Sequence, residues 1–132
     1  MRFFLFSAST FILTIGIHLF SEECNLSHYY EIAKENCQDI SDIRREMDRI
    51  NNEILKLLTE RTAYVKRAGD LKSQTTKIAD DRQRVADQER KITDQSIALE
   101  LPTEISLPAF RVIMENSIQF QQEYIDQLSL HR

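Results

Sequence analysis

From Ile43 the apolar positions fall at Ile43, Met47, Ile50, Ile54, Leu57, Leu58, Val65, Ala68 and Leu71, in steps mostly of three, four and seven. That spacing draws one apolar stripe along a helix and predicts a long amphipathic element over about residues 42–73. Ser41 or Asp42 is expected to cap its start, and Gly69 is the one weak helix former inside it. Such a helix is roughly 48 Å long, against a radius of gyration of roughly 13 Å for a compact domain of this size. It overshoots a globular monomer, so it is expected to pack against a second copy of the chain. The polar run Ser73 to Lys77 reads as a loop. A second helix is expected to start near Asp80 or Asp81, to carry Val85, Ile92, Ile97 and Leu99 on a looser stripe, and to stop at Pro102. Ser106 is expected to cap a third, with Pro108 in its first turn and a stripe of Phe110, Ile113, Ser117, Phe120, Tyr124 and Leu128. The fold class is therefore all-α, a three-helix chain with one long N-terminal helix, in an intertwined helical dimer.

Composition narrows this picture. With 42% apolar residues, two Gly and two Pro in 132, the chain is neither a disordered tail nor a many-stranded β fold, which needs turn formers at short intervals. The net charge of -4 gives no general attraction for nucleic acid, so any bound anion must be held by a local cluster of cations. The first residues have a different character. Arg2 is followed by Phe3 to Phe20, eighteen residues without a charge, and then by Ser21, Glu22 and Glu23, the layout of a secretory signal peptide. The expected division is 1–21 signal peptide, 22–40 N-terminal segment of the mature chain and 41–130 helical domain. Export to the periplasm or beyond follows, with an uncleaved membrane anchor as the alternative. Cys24 and Cys37 remain in the mature chain, either as a disulfide or as two thiols in a mobile segment. Metal binding is disfavoured, because His28 is the one histidine near them and no CxxC pair exists.

The informative anomaly is polar residues where core residues would serve. Ser117 and Gln121 lie one turn apart on or beside the apolar stripe of the third helix, and a buried amide is costly unless something hydrogen-bonds it. Arg61 and Lys72 are eleven residues apart, about 20° from one helical face. Each cation alone is explained by a snorkelling surface side chain. Two on one line near a packing face call for an anion.

The run Asp-Ile-Arg-Arg-Glu-Met-Asp-Arg-Ile-Asn from Asp42, Leu-Leu-Thr-Glu-Arg from Leu57, Lys72, Asp81-x-x-Arg84 and Glu-Asn-Ser-x-x-x-Gln ending at Gln121 together resemble the all-helical chorismate mutases. The resemblance covers about 80 residues. It implies rearrangement of chorismate to prephenate, a unimolecular pericyclic step that needs no nucleophile, proton transfer, metal or cofactor. Catalysis then rests on holding the reactive conformer and stabilising charge on the breaking ether oxygen. By resemblance, Arg44 from the partner of a homodimer and Arg61 would fork onto the substrate carboxylates. Lys72 would bridge a carboxylate and the ether oxygen, and Gln121 would donate a second hydrogen bond there. Arg84 would orient Asp81, while Asp81 and Ser117 would lie near the hydroxyl or a carboxylate.

Two departures from the family pattern stand out. Many relatives carry Glu directly after the second-helix arginine, to grip the substrate hydroxyl; here that position is Val85, and Gln88 one turn on could take over. Asp87 and Arg90 repeat the Asp-x-x-Arg spacing six residues later, but choosing them would need a six-residue insertion in the loop. Two alternatives to the mutase remain: a same-fold isochorismate pyruvate lyase, of which Tyr64-Val65-Lys66 is reminiscent, and a non-catalytic exported helical interaction module.

Overall fold

The computed structural model describes residues 24–75 and 79–130, and all four of its elements are helices: α1 (Leu26–Asn36), α2 (Ile40–Lys72), α3 (Arg82–Ala98) and α4 (Thr103–Leu130). Among the described residues there is no strand, as the scarcity of turn formers requires, and no helix long and apolar enough to cross a membrane. The stretch that resembles a signal peptide lies outside the described residues.

α2 forms where periodicity places it, but its cap is Asp39 rather than Ser41 or Asp42. The Asp39 carboxylate accepts from the amides of Ser41 and Asp42, while Asp42 reaches back to the amides of Asp39 and Gln38. This reciprocal box satisfies orphan amides at both residues, which is why the helix begins earlier than its apolar stripe. α4 also starts early. Pro102 sits directly before Thr103, and its carbonyl accepts from the amides of Ile105 and Ser106, so Ser106 is inside the helix and caps nothing. Its hydroxyl is buried instead against the Ser96 hydroxyl of α3, at 2.7 Å. Pro108 is in the second turn, where the amide it lacks would have served the carbonyl of Glu104.

The three longer helices pack as a layer around α4. Arg61 meets Ser117, Val65 meets Gln121 and Asp70 meets Tyr124, so residue numbers rise together and α2 and α4 run parallel. α3 runs antiparallel to α4 through Arg82–Glu115, Glu89–Arg111 and Ser96–Ser106.

α1 was not expected from the sequence: Asn25 caps it through the His28 amide, and it packs broadly on no other helix. It is tied to the α3–α4 corner. The amide of Leu26 donates to the Leu99 carbonyl, and the amide and hydroxyl of Ser27 donate to the Glu100 carboxylate. Glu100 itself has φ 56°, in the left-handed position that ends a helix, with the Glu100 and Leu101 amides returning to the carbonyls of Ile97 and Ser96. The helix also settles the cysteines. Cys24 and Cys37 flank α1, about 20 Å apart at 1.5 Å per residue, and both are free, whereas a disulfide needs Cα atoms within about 7 Å.

Little is buried. Among the described residues the buried apolar side chains are Ala79 and Met114, and the predicted stripe of α2 is solvent-exposed at Ile43, Met47, Ile50, Ile54 and Leu57. Ile97 and Leu99 are exposed as well, which leaves Val85 and Ile92 as the inward residues of their stripe. Five side chains of that size left about half exposed forgo on the order of 5 kcal/mol, a large share of the stability of an ordinary domain.

Candidate active site

Between α2, α3 and α4 lies a cleft of about 430 Å³. α2 contributes Arg61 and Lys72 to its wall, and α4 contributes Ser117 and Gln121. Asp81, Arg84 and Gln88 line it from the start of α3, so seven of the eight predicted residues come together. Arg44 does not. It lies seventeen residues before Arg61 on the same straight element, about 25 Å away, beyond the reach of any side chain.

The contacts explain the polar anomalies in the stripe. Gln121 is 6% exposed, and both ends of its amide are used: Nε2 donates to the Val65 carbonyl at 2.7 Å, and Oε1 accepts from Lys72 Nζ at 3.0 Å. Lys72 also donates to the Ala79 carbonyl at 3.2 Å, which ties Ala79, just before α3, to the end of α2. Arg61 donates to the Ser117 hydroxyl at 2.5 Å, and that hydroxyl donates to the Ile113 carbonyl. One expectation changes. Asp81 is the N-cap of α3 and is oriented by the backbone amide of Arg84, at 3.0 Å, not by its guanidinium.

Charge pairing distinguishes most of the described arginines from those of the cleft. Among the described arginines, Arg45, Arg49, Arg67, Arg82, Arg90 and Arg111 each pair with a carboxylate. Arg44, Arg61 and Arg84 do not, and neither does Lys72. Three of these four cations converge on one cleft whose single acidic lining residue, among the described residues, is Asp81. An excess of positive charge in a concave, partly apolar site is built for a multiply charged anion.

The two Asp-x-x-Arg pairs lie in different places. Asp87 pairs with Arg90 and accepts from Gln83, and Arg90 faces a separate groove with Glu89 and Arg111. Val85 and Gln88 both line the cleft, the first as an apolar wall where many of the proteins it resembles have a carboxylate.

A family model for chorismate mutase type II matches residues 43–122, from the first turns of α2 to the residue after Gln121. The chain belongs to that family. A chorismate mutase from Methanocaldococcus jannaschii is 26% identical over 93 residues, 68% of this chain and 91% of that protein. No solved structure matches the chain significantly. The family match excludes α1 and the last two turns of α4, so the type II chorismate mutase region coincides with the three helices that build the cleft.

The periodicity missed three parts of the site. Met114, 3% exposed, underlies the cleft between Phe110 and Ser117; its 110–114–117–121 spacing was visible but hidden by the polar residues at 117 and 121. Tyr64 lines the cleft one turn before Ala68. The Val65 carbonyl, which holds Gln121, is backbone and has no side-chain signature.

Proposed function

We propose that this protein is a chorismate mutase whose cleft binds the chorismate dianion and rearranges it to prephenate by electrostatic stabilisation and conformational restraint. The observation that carries this is the convergence of the unpaired Arg61, Lys72 and Arg84 on one cleft beside the buried amide of Gln121. Arg61, steadied by Ser117, takes one carboxylate in a bidentate fork. Lys72 and Gln121 face the breaking ether bond, where negative charge grows in the transition state and a fixed donor acts most strongly. Nε2 carries two N–H groups, so Gln121 can hold the Val65 carbonyl with one and donate to the ether oxygen with the other. Arg84 supplies positive charge at the α3 wall, and Asp81 and Gln88 are placed for the substrate hydroxyl.

The second carboxylate is met by Arg44 of the partner subunit in a homodimer. The bare apolar stripe around Arg44 and the distance from Arg44 to its own cleft support that assembly. We further infer export, supported by Arg2 and the uncharged run Phe3 to Phe20. Mass spectrometry of the N-terminus should then place it near residue 22 in an extracytoplasmic fraction; an intact chain in the membrane fraction would mean an anchor.

The deciding assay uses the chain from residue 22. Ultraviolet loss of chorismate with appearance of prephenate is the expected result. Salicylate fluorescence from isochorismate, with chorismate untouched, would make it a lyase, the reading that Tyr64-Val65-Lys66 suggests. Inactivity on both would leave a helical interaction module.

A further inference from the structure

Gly69 is buried in α2 three residues before Lys72, in a helix that gains nothing from a glycine. A Cβ built on it would stand 2.9 Å from Tyr124 Cδ1 and 3.5 Å from Gln121 Cγ. The first distance is a clash, and the ring it meets has no easy escape. Tyr124 Oη donates to Asp70 Oδ1 at 2.6 Å, and the Lys66 ammonium lies 5.0 Å from the ring centroid. Residues 66, 69 and 70 of α2 thus grip one side chain of α4 from three sides.

Gln121 is three residues before Tyr124, on the same side of α4, so whatever displaces Tyr124 carries Gln121 with it. On α2, Lys72 stands one turn beyond Gly69. The 3.0 Å contact between Lys72 and Gln121 is therefore set by how closely α4 seats on Gly69.

We propose that Gly69 and Tyr124 are positioning residues for the mutase reaction: the ring seated on the glycine fixes the α2–α4 spacing that aims Lys72 and Gln121 at the ether oxygen. This rests on the chorismate mutase reading of the cleft. The contacts it governs belong to the transition state, whereas carboxylate binding by Arg61 lies two turns away. Disturbing the seat acts on kcat more than on KM.

The test is a double-mutant cycle of Gly69→Ala and Tyr124→Ala, with chorismate kinetics and circular dichroism for each purified protein. Gly69→Ala should lower kcat at least about tenfold while KM stays within about threefold, because a shift of an ångström or less suffices to misalign the donors. Once the ring is gone the added methyl meets only Gln121 Cγ, at an ordinary contact of 3.5 Å, so Gly69→Ala in the Tyr124→Ala background should change kcat by less than about threefold. A folded Gly69→Ala protein with normal kcat, or an equal loss in both backgrounds, overturns the proposal. If Gly69→Ala alone does not fold, the double variant decides. Folding with the kcat of Tyr124→Ala supports the seat, and failure where Tyr124→Ala alone folds refutes it. A native protein inactive on chorismate would refute the function itself, and this inference with it.

Discussion

Lys72 carries donors only and the Val65 carbonyl is an acceptor only, so the amide of Gln121 has one orientation that serves both, with oxygen toward the lysine and nitrogen toward the carbonyl. Two predictions follow from this fixed polarity. Lys72→Ala removes the charge beside the developing oxyanion and should lower kcat/KM at least about 10²-fold; Lys72→Arg should rescue poorly, because a planar fork does not replace a point charge in a fitted pocket. Steady-state rates on chorismate check both, and near-normal Lys72→Ala would remove the lysine from the mechanism. Gln121→Glu introduces a group that, ionised, sets acceptor against acceptor at Val65 and repels charge on the ether oxygen. Only its protonated form donates. Its kcat/KM should therefore fall between pH 5 and pH 8, while equal activity at both would deny Gln121 its role as donor.

At the scale of elements, α2 and α3 were legible because part of each turns inward, Leu58, Val65 and Ala68 in α2 and Val85 and Ile92 in α3, while the stripe from Ile43 to Leu57 keeps its spacing though exposed in one chain. α1 was not, because it buries no residue: Leu26, Tyr29, Tyr30 and Ile32 stay exposed, and its one signal was the Asn25 cap. The start of α4 was misplaced for a related reason, since Ser106 looks like a cap but serves a hydroxyl on another helix. The cleft was legible through spacing and resemblance, but the backbone carbonyls that aim Lys72 and Gln121 were not. α1 also yields a prediction. Its anchor is the Glu100 carboxylate, held below the ordinary carboxylate range first by the Ser27 hydroxyl and then by the Ser27 amide. A group whose folded value is lowered stabilises above its unfolded value, about 4.3, and loses that contribution as pH falls through the folded one. The protection factors of α1 amides, taken against intrinsic exchange at each pH, should fall on acidification below about pH 4 before those of α4 do. Glu100→Gly should produce the same loosening at pH 7, while easing the left-handed backbone that closes α3. Unchanged α1 protection in Glu100→Gly would mean that the helix is held by something else.

The whole molecule is organised around what one chain leaves uncovered. At the offset of 56 residues set by Arg61–Ser117 and Val65–Gln121, the first residue of α4 stands level with Met47, so the first two turns of α2, Arg44 included, project past it. If Arg44 completes the site of the other subunit, Arg44→Ala and Lys72→Ala proteins, each inactive, should regain part of the activity when unfolded together and refolded. A mixed dimer then contains one intact site. No recovery, with mixed dimers demonstrated by mass, would place the whole site in one chain.

If a second copy covers the bare stripe of α2, as proposed, a chain whose described residues bury only Ala79 and Met114 among apolar side chains owes part of its stability to mass action. Its melting temperature should climb with protein concentration, and its specific activity should decline on dilution well before any chemical damage. Both are read from a dilution series, and a concentration-independent melt would show that the bare stripe of α2 needs no cover. If the proposed export and dimer both hold, the corollary is ecological: a narrow, enclosed compartment keeps such a catalyst assembled, whereas release into open medium would switch it off by dispersal alone.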